Sequence, residues 1–251
     1  MLQPVHSADR HRLDLLKRSS ANAWRRAQQH LAIERSPAAA QGERLDAPGV
    51  RRLAAAASAI GVGRPLQVLV EIGYAGGRCG CRDAASALAV ARAVGAGRPG
   101  LGLAGLEAFE GMNQSLPAAE AVERVAALLD DVVAAATAID AEGLFGDDAV
   151  VLSAGVASYY DLVAARFAAT RLSRPTAVVV RSGCYLTHDA GLYKRQFEEV
   201  LNRSPEARAV DGRFQNALEV WAQVISVPEA GRAMLGAGRR DFAMTPARPG
   251  R

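Results

Sequence analysis

Aromatic residues make up only 5% of this 251-residue chain, and lysine is rarer still, with Lys17 and Lys194 the only two. Half the residues are hydrophobic and alanine dominates. That favours helices packed closely on a sheet over an all-β sandwich, which draws on aromatic and β-branched residues. The three cysteines, Cys79, Cys81 and Cys184, are too few and odd in number for a disulfide framework. Cys79 and Cys81 form a Cys-x-Cys pair with no second pair and no nearby histidine, so small buried thiols are expected there, and no metal ligands. No apolar run approaches the ~18 residues that a membrane helix needs, because Val125 to Ile139 is broken by Asp130 and Asp131. No apolar signal segment follows Met1, so the cytoplasm is the expected compartment. A net charge of +4 is too small a bias to argue for nucleic acid. A Walker motif is missing, which leaves no sequence support for a P-loop.

What is present is a regular alternation. Ala177 to Val180 is a short β-branched run opened by Pro175, too short for a helix and apolar on both faces. It predicts a parallel strand buried on both sides. Polar chemistry starts where the run stops: Arg181 at the carboxyl end of the strand, then Ser182, Gly183 and Cys184 in a turn whose backbone N–H groups can approach an anion. In α/β sheets, ligands sit at that end. The same residues also fit a plain reading, in which Arg181 pairs with a carboxylate and Ser-Gly is only a turn.

Earlier in the chain, residues 1–45 are basic, hold three of the four histidines and carry loosely helical apolar spacing. They fit a basic arm or a leader without packing partners, with Pro37 to Gly42 as a linker. From Ala47 the pattern is regular. An alanine-rich helix at Val50 to Ile60 precedes the strand Leu66 to Ile72 and the glycine-rich loop Gly73 to Gly80. Asp83 then caps a helix to about Val94. A second strand, Gly102 to Leu106, leads to a long helix opened by Pro117. A third, Ala149 to Leu152, runs into the loop Ser153, Ala154 and Gly155, and a helix from about Ser158 to Thr170 follows. Four βα units therefore predict a parallel sheet with crossover helices. Beyond Asp189, a short helix at Arg195 to Leu201 and strands at Ala217 to Val227 and Ala233 to Leu235 predict the start of a different unit.

The blocks LQVLVEIGYAGGRCGCRD, LAGLEAFEG, VVLSAGVASYYD, VVVRSGCYLTHD and ALEVWAQVISVPEAGRAMLGAGRRD occur in this order. Together they resemble the second half of the barrel in pyridoxal-phosphate enzymes of the alanine-racemase type (fold type III). Within that superfamily they are most similar to the D-threonine aldolase and D-serine dehydratase branch, which includes the amino acid deaminases. The resemblance spans roughly residues 46 to 245. It implies a TIM-type (β/α)8 barrel of which this chain carries about four units, with residues 46–190 as half of the barrel and 191–251 as the beginning of a carboxyl-terminal β domain. The cofactor it implies is pyridoxal 5'-phosphate, and the substrates are D-amino acids.

Carried over by position, the resemblance puts Arg78 near the phenolic oxygen of the cofactor and Ser153 and Gly155 in the phosphate loop. Gly183 and Cys184 become backbone donors to the phosphate, and Arg181 lies against the pyridine nitrogen. An arginine there keeps that nitrogen unprotonated and weakens the ring as an electron sink. Phe109 and Glu110 match more loosely, as residues under the ring.

Two departures bear on activity. The family's Schiff-base lysine lies in a His-x-Lys-Thr motif, and no such motif occurs in this chain. Lys17 and Lys194 each sit beside arginine without a preceding apolar run and read as surface residues. The divalent-metal ligands of the lyase branch, a late His and Cys pair, have no counterpart either. The expectation is a partial, catalytically impaired relative of D-amino acid lyases. The alternatives are a non-catalytic binder of pyridoxal phosphate or phosphate, an alanine-racemase-like isomerase, and a homodimer that closes two half-barrels.

Overall fold

The computed structural model describes residues 47–61, 63–77, 79–110, 116–155, 158–181, 183–186, 188, 190–210, 214–238 and 241. The basic segment 1–45 and Arg78 lie outside them.

The fold is α/β, with a four-stranded parallel sheet whose strands alternate with helices. In chain order the elements are α1 (Ala47–Ile60), β1 (Leu66–Ile72), α2 (Ala84–Ala96), β2 (Leu101–Phe109), α3 (Ala118–Ala141), β3 (Val150–Gly155), α4 (Tyr160–Ala168) and β4 (Thr176–Arg181). The strands lie side by side in sequence order, each joined to the next by a crossover helix.

Burial follows position in the sheet. In β2, Leu101, Leu103, Leu106 and Ala108 are all buried, because β2 has a neighbour on each side. In β1, an edge strand, Val68, Val70 and Ile72 are buried while the alternate residues are half-buried. The other edge, β4, departs from expectation. Thr176 to Val179 are only half-buried, and Val180 and Arg181 are exposed. Its apolar run reflects the β preference of valine and does not reflect cover on both faces.

Small residues set the spacing. Gly105 in β2 comes so close to β3 that an added Cβ would lie 1.9 Å from the Val151 carbonyl oxygen. On α2, Ala87, Ala91 and Val94 form the buried face. The buried residues of α3 recur every three to four positions, from Ala121 through Val125, Leu128 and Val132 to Ile139. Burying a leucine or valine contributes about 1.5–3 kcal/mol, so these stripes fix the helices to the sheet without aromatic residues.

Two compact units divide these residues. The first holds 47–154 and 166–179, the second 155–165 and 180–241. In the second, a 3-10 turn (Gly183–Leu186) precedes α5 (Leu192–Arg203) and α6 (Pro205–Ala209). Ser204 caps α6 by accepting from the Ala207 N–H at 3.1 Å. An antiparallel hairpin follows, β5 (Val224–Glu229) with β6 (Arg232–Leu235), turning at Ala230 and Gly231. The strand expected from Ala217 begins only at Val224. Residues 217–223 are exposed and lie outside the strand, with the Gln223 carbonyl accepting from the Gly236 N–H at 2.8 Å where the hairpin ends.

Candidate functional site

The loop after β1 is fastened to the strand it leaves. The Cys81 N–H donates to the Glu71 carbonyl at 2.8 Å and the Gly73 N–H to the Cys81 carbonyl at 2.9 Å, so the chain returns as a short parallel extension of β1. Both glycines are needed for this approach. A Cβ on Gly73 would lie 2.0 Å from the Cys79 carbonyl oxygen, and one on Gly80, whose φ is +88°, 2.5 Å from the Gly73 nitrogen. Arg82 closes the loop by donating to the carbonyls of Cys79 (2.5 Å), Gly80 (2.9 Å) and Gly77 (2.7 Å).

The two cysteines of this loop are both half-buried. The Cys79 thiol donates to Glu71 Oε1 at 3.2 Å, and burial pushes the Cys81 thiol up. Asp83 follows as the cap of α2, accepting from the Ser86 N–H at 2.6 Å while Ser86 Oγ accepts from the Asp83 N–H. The Ser86 backbone hydrogen bond holds the Asp83 carboxyl below the usual aspartate range.

At the end of β2, Phe109 is exposed while Glu110 is buried. At the end of β3, Ser153 is buried and its hydroxyl donates to the Val179 carbonyl of β4 at 2.9 Å. Ser153, Ala154 and Gly155 were expected in a loop, but they continue the strand. The strand therefore ends three residues later than its composition suggests, at Gly155 and not at Leu152, because small residues fit a crowded strand as readily as a turn.

Gly155, Arg181, Gly183 and Cys184 all belong to the second unit. Arg181 is the exposed last residue of β4, and Gly183 and Cys184 open the 3-10 turn. Gly183 is exposed, and an added Cβ there would meet nothing within 4 Å. Gly155 ends the strand next to β4 in the sheet, which puts it at the same end of a parallel pair as Arg181. Just beyond, His188 is buried at a φ of +45°. It stacks on Phe214 at 5.1 Å and meets Phe197 edge-on at 6.2 Å.

Sequence reasoning overlooked Arg203. From the last turn of α5, its guanidinium donates to both Asp161 carboxylate oxygens, Nε to Oδ2 at 2.9 Å and Nη2 to Oδ1 at 2.7 Å, and also to the Ser158 carbonyl. It lies 5.1 Å from the centre of the Tyr159 ring. Burial, and secondarily the Asp161 charge, pushes the Tyr160 phenol up. An arginine at the end of an amphipathic helix gives no sign of such a partner, which lies 42 residues away.

As to amines, Lys194 is exposed on α5. Among the described residues, no three His, Cys, Asp or Glu side chains are grouped to hold a metal, and no helix is long and apolar enough to cross a membrane. Set against models of known protein families and against curated proteins, the chain matches none.

Proposed function

We propose that the chain contributes four βα units to a (β/α)8 barrel of the alanine-racemase type and binds pyridoxal 5'-phosphate through its phosphate, in the branch that acts on D-amino acids by elimination or aldol cleavage. The observation that carries this reading is the carboxyl end of β3 and β4. Gly155 ends one strand, and the other ends in Arg181, with the exposed Gly183 following. Backbone N–H groups at a glycine-bearing strand end suit a phosphate dianion, and the exposed Arg181, which the resemblance sets against the pyridine nitrogen, adds positive charge at the same end.

The residues present fit the phosphate but not the aldehyde. Lys194 is a solvated residue on an amphipathic helix, and burial leaves the Cys81 thiol protonated. When bound, pyridoxal phosphate supplies an electron sink for a substrate carbanion. Among the described residues, no amine is placed to fit its aldehyde. The activity assigned here is binding, in a cytoplasmic protein whose relatives by resemblance use D-amino acids such as D-serine and D-threonine. Nucleic acid and membrane have no part in this reading, and a second copy of the chain is the expected partner.

The test is reduction of the mixture of protein and pyridoxal phosphate with borohydride, followed by peptide mass mapping and an assay for ammonia and pyruvate from D-serine. The expected result is reversible binding with no adduct and no turnover. An adduct on Lys17 or Lys194, or steady turnover of a D-amino acid, overturns the non-covalent assignment. Absence of any binding overturns the proposal.

A further inference from the structure

The β5–β6 hairpin is exposed along its whole length. Trp221, just before β5, is 90% exposed. Each strand has the other as its only sheet neighbour among the described residues, so each keeps an edge that no ladder satisfies. A two-stranded ribbon is marginal in water, and a third strand or a covering surface is what stabilises one. Edges of this kind are commonly guarded by charge. Here β5 has no lysine, and its one charged residue, Glu229, stands at the last position. Pro228 withdraws a donor beside it and leaves Val224 to Val227 without a break.

The chemistry of a cover is set by what this surface lacks. Between Asn216 and Gly238 the charged residues are Glu219, Glu229 and Arg232, and the last two pair with each other at 3.7 Å. So little charge offers no attraction to nucleic acid or to a charged peptide. An anionic lipid surface draws on clustered lysine and arginine, which this stretch does not have. The cover must itself be apolar and nearly neutral, and a second copy of the hairpin is both. About a twofold axis the patch meets itself, with little like charge brought together.

The area is sufficient. Trp221, Val224, Ile225, Val227, Met234 and Leu235 together expose on the order of 700 Å², so two copies would bury on the order of 1,400 Å², inside the range of stable interfaces.

We propose that the β5–β6 hairpin is the surface through which the chain pairs with a second copy of itself, hairpin against hairpin, covering Trp221 and the apolar residues of both strands. This is independent of the pyridoxal-phosphate reading. It also differs from the closure of two half-barrels, which would use the edges of the parallel sheet.

The test is the mass of the full chain by sedimentation velocity from about 0.1 to 100 μM. Wild type is compared with the double variant Ile225→Lys, Val227→Lys and with Ile60→Lys, which puts the same charge on an exposed residue of α1. Wild type is expected to pass from monomer to dimer as concentration rises. The fluorescence per chain of an anilinonaphthalene sulfonate dye should fall in step, because the second copy covers the surface the dye takes. The double variant brings the lysines of both copies into one interface and should weaken association about a hundredfold or more, while Ile60→Lys pairs as wild type does. If the double variant does not fold, Trp221→Ala, which only shortens an exposed side chain, carries the test with association weakened about tenfold or more.

A wild type that stays monomeric throughout overturns the proposal. So does a dimer that the hairpin variants leave at full strength, the result that closure through the parallel sheet would give, and so does equal weakening by Ile60→Lys. Assembly that runs past the dimer contradicts a closed twofold contact. A monomer that sediments with phosphatidylcholine vesicles would make the surface a lipid contact and overturn the proposal as well.

Discussion

The Ser153 hydroxyl donates to the Val179 carbonyl at 2.9 Å, tying β3 to the edge strand β4 by a side chain as well as by the ladder. Ser153 is buried, so its removal leaves the bond unmade and a small void. Ser153→Ala is expected to cost about 1–2 kcal/mol, read as a lower urea midpoint with an unchanged slope. An unchanged midpoint would mean that the bond adds nothing.

Gly105 and Gly183 predict opposite outcomes for one substitution. Gly105→Ala drives a Cβ into the Val151 carbonyl and should destabilise by about 3 kcal/mol or more. Gly183→Ala meets open space and should stay within about 0.5 kcal/mol of wild type. Thermal melts of the two variants decide it, and equal melting temperatures would contradict the close approach of β2 to β3.

The Arg82 fastening predicts a local effect. With three carbonyls released, Arg82→Ala should raise proteolysis and amide exchange in the loop after β1 while leaving β2 and α3 protected. A uniform rise across the chain would show that the loop has no stability of its own.

Acid should act through the cap of α2. The folded-state pKa of Asp83 is depressed by its Ser86 hydrogen bonds, so its contribution is fully present above the unfolded value near 3.8. It is lost as pH falls through the lower folded value. Melting temperatures measured below pH 4 should therefore fall less steeply for Asp83→Asn, which keeps a capping oxygen but does not titrate. Identical acid limbs for the two proteins would refute this.

The hairpin makes its own prediction. Ile225 is 71% exposed, and Val224, Val227, Met234 and Leu235 are exposed with it, on a two-stranded ribbon that water alone supports poorly. The protein should enhance the fluorescence of an anilinonaphthalene sulfonate dye, and Ile225→Lys with Val227→Lys should remove most of that signal. Equal signal in the double variant would place the dye elsewhere.

How much of this could be read from the chain depends on the range of the cause. β1 was legible to its ends because the apolar run LQVLVEI is bounded by Pro65 and Gly73, and the α2 cap because Asp83 stands directly before an alanine-rich run. The long α3 could be read from its apolar spacing after Pro117. Cover on β4 was misjudged, since sequence order does not say which strand will be an edge. Ser153 was assigned to a loop because small polar residues are common in turns, whereas here the hydroxyl finds a carbonyl 26 residues away. Arg203 with Asp161 was illegible for the same reason. Of the candidate site, Arg181, Gly183 and Cys184 stand where the strand-end rule put them, and Arg78 lies outside the described residues.

Titration of the protein with pyridoxal 5'-phosphate in parallel with pyridoxal, which lacks the phosphate, tests the central claim most directly. The account predicts saturable binding of the phosphate ester, competed by inorganic phosphate, and little binding of pyridoxal. Equal affinity for the two compounds, or no binding of either, would contradict it.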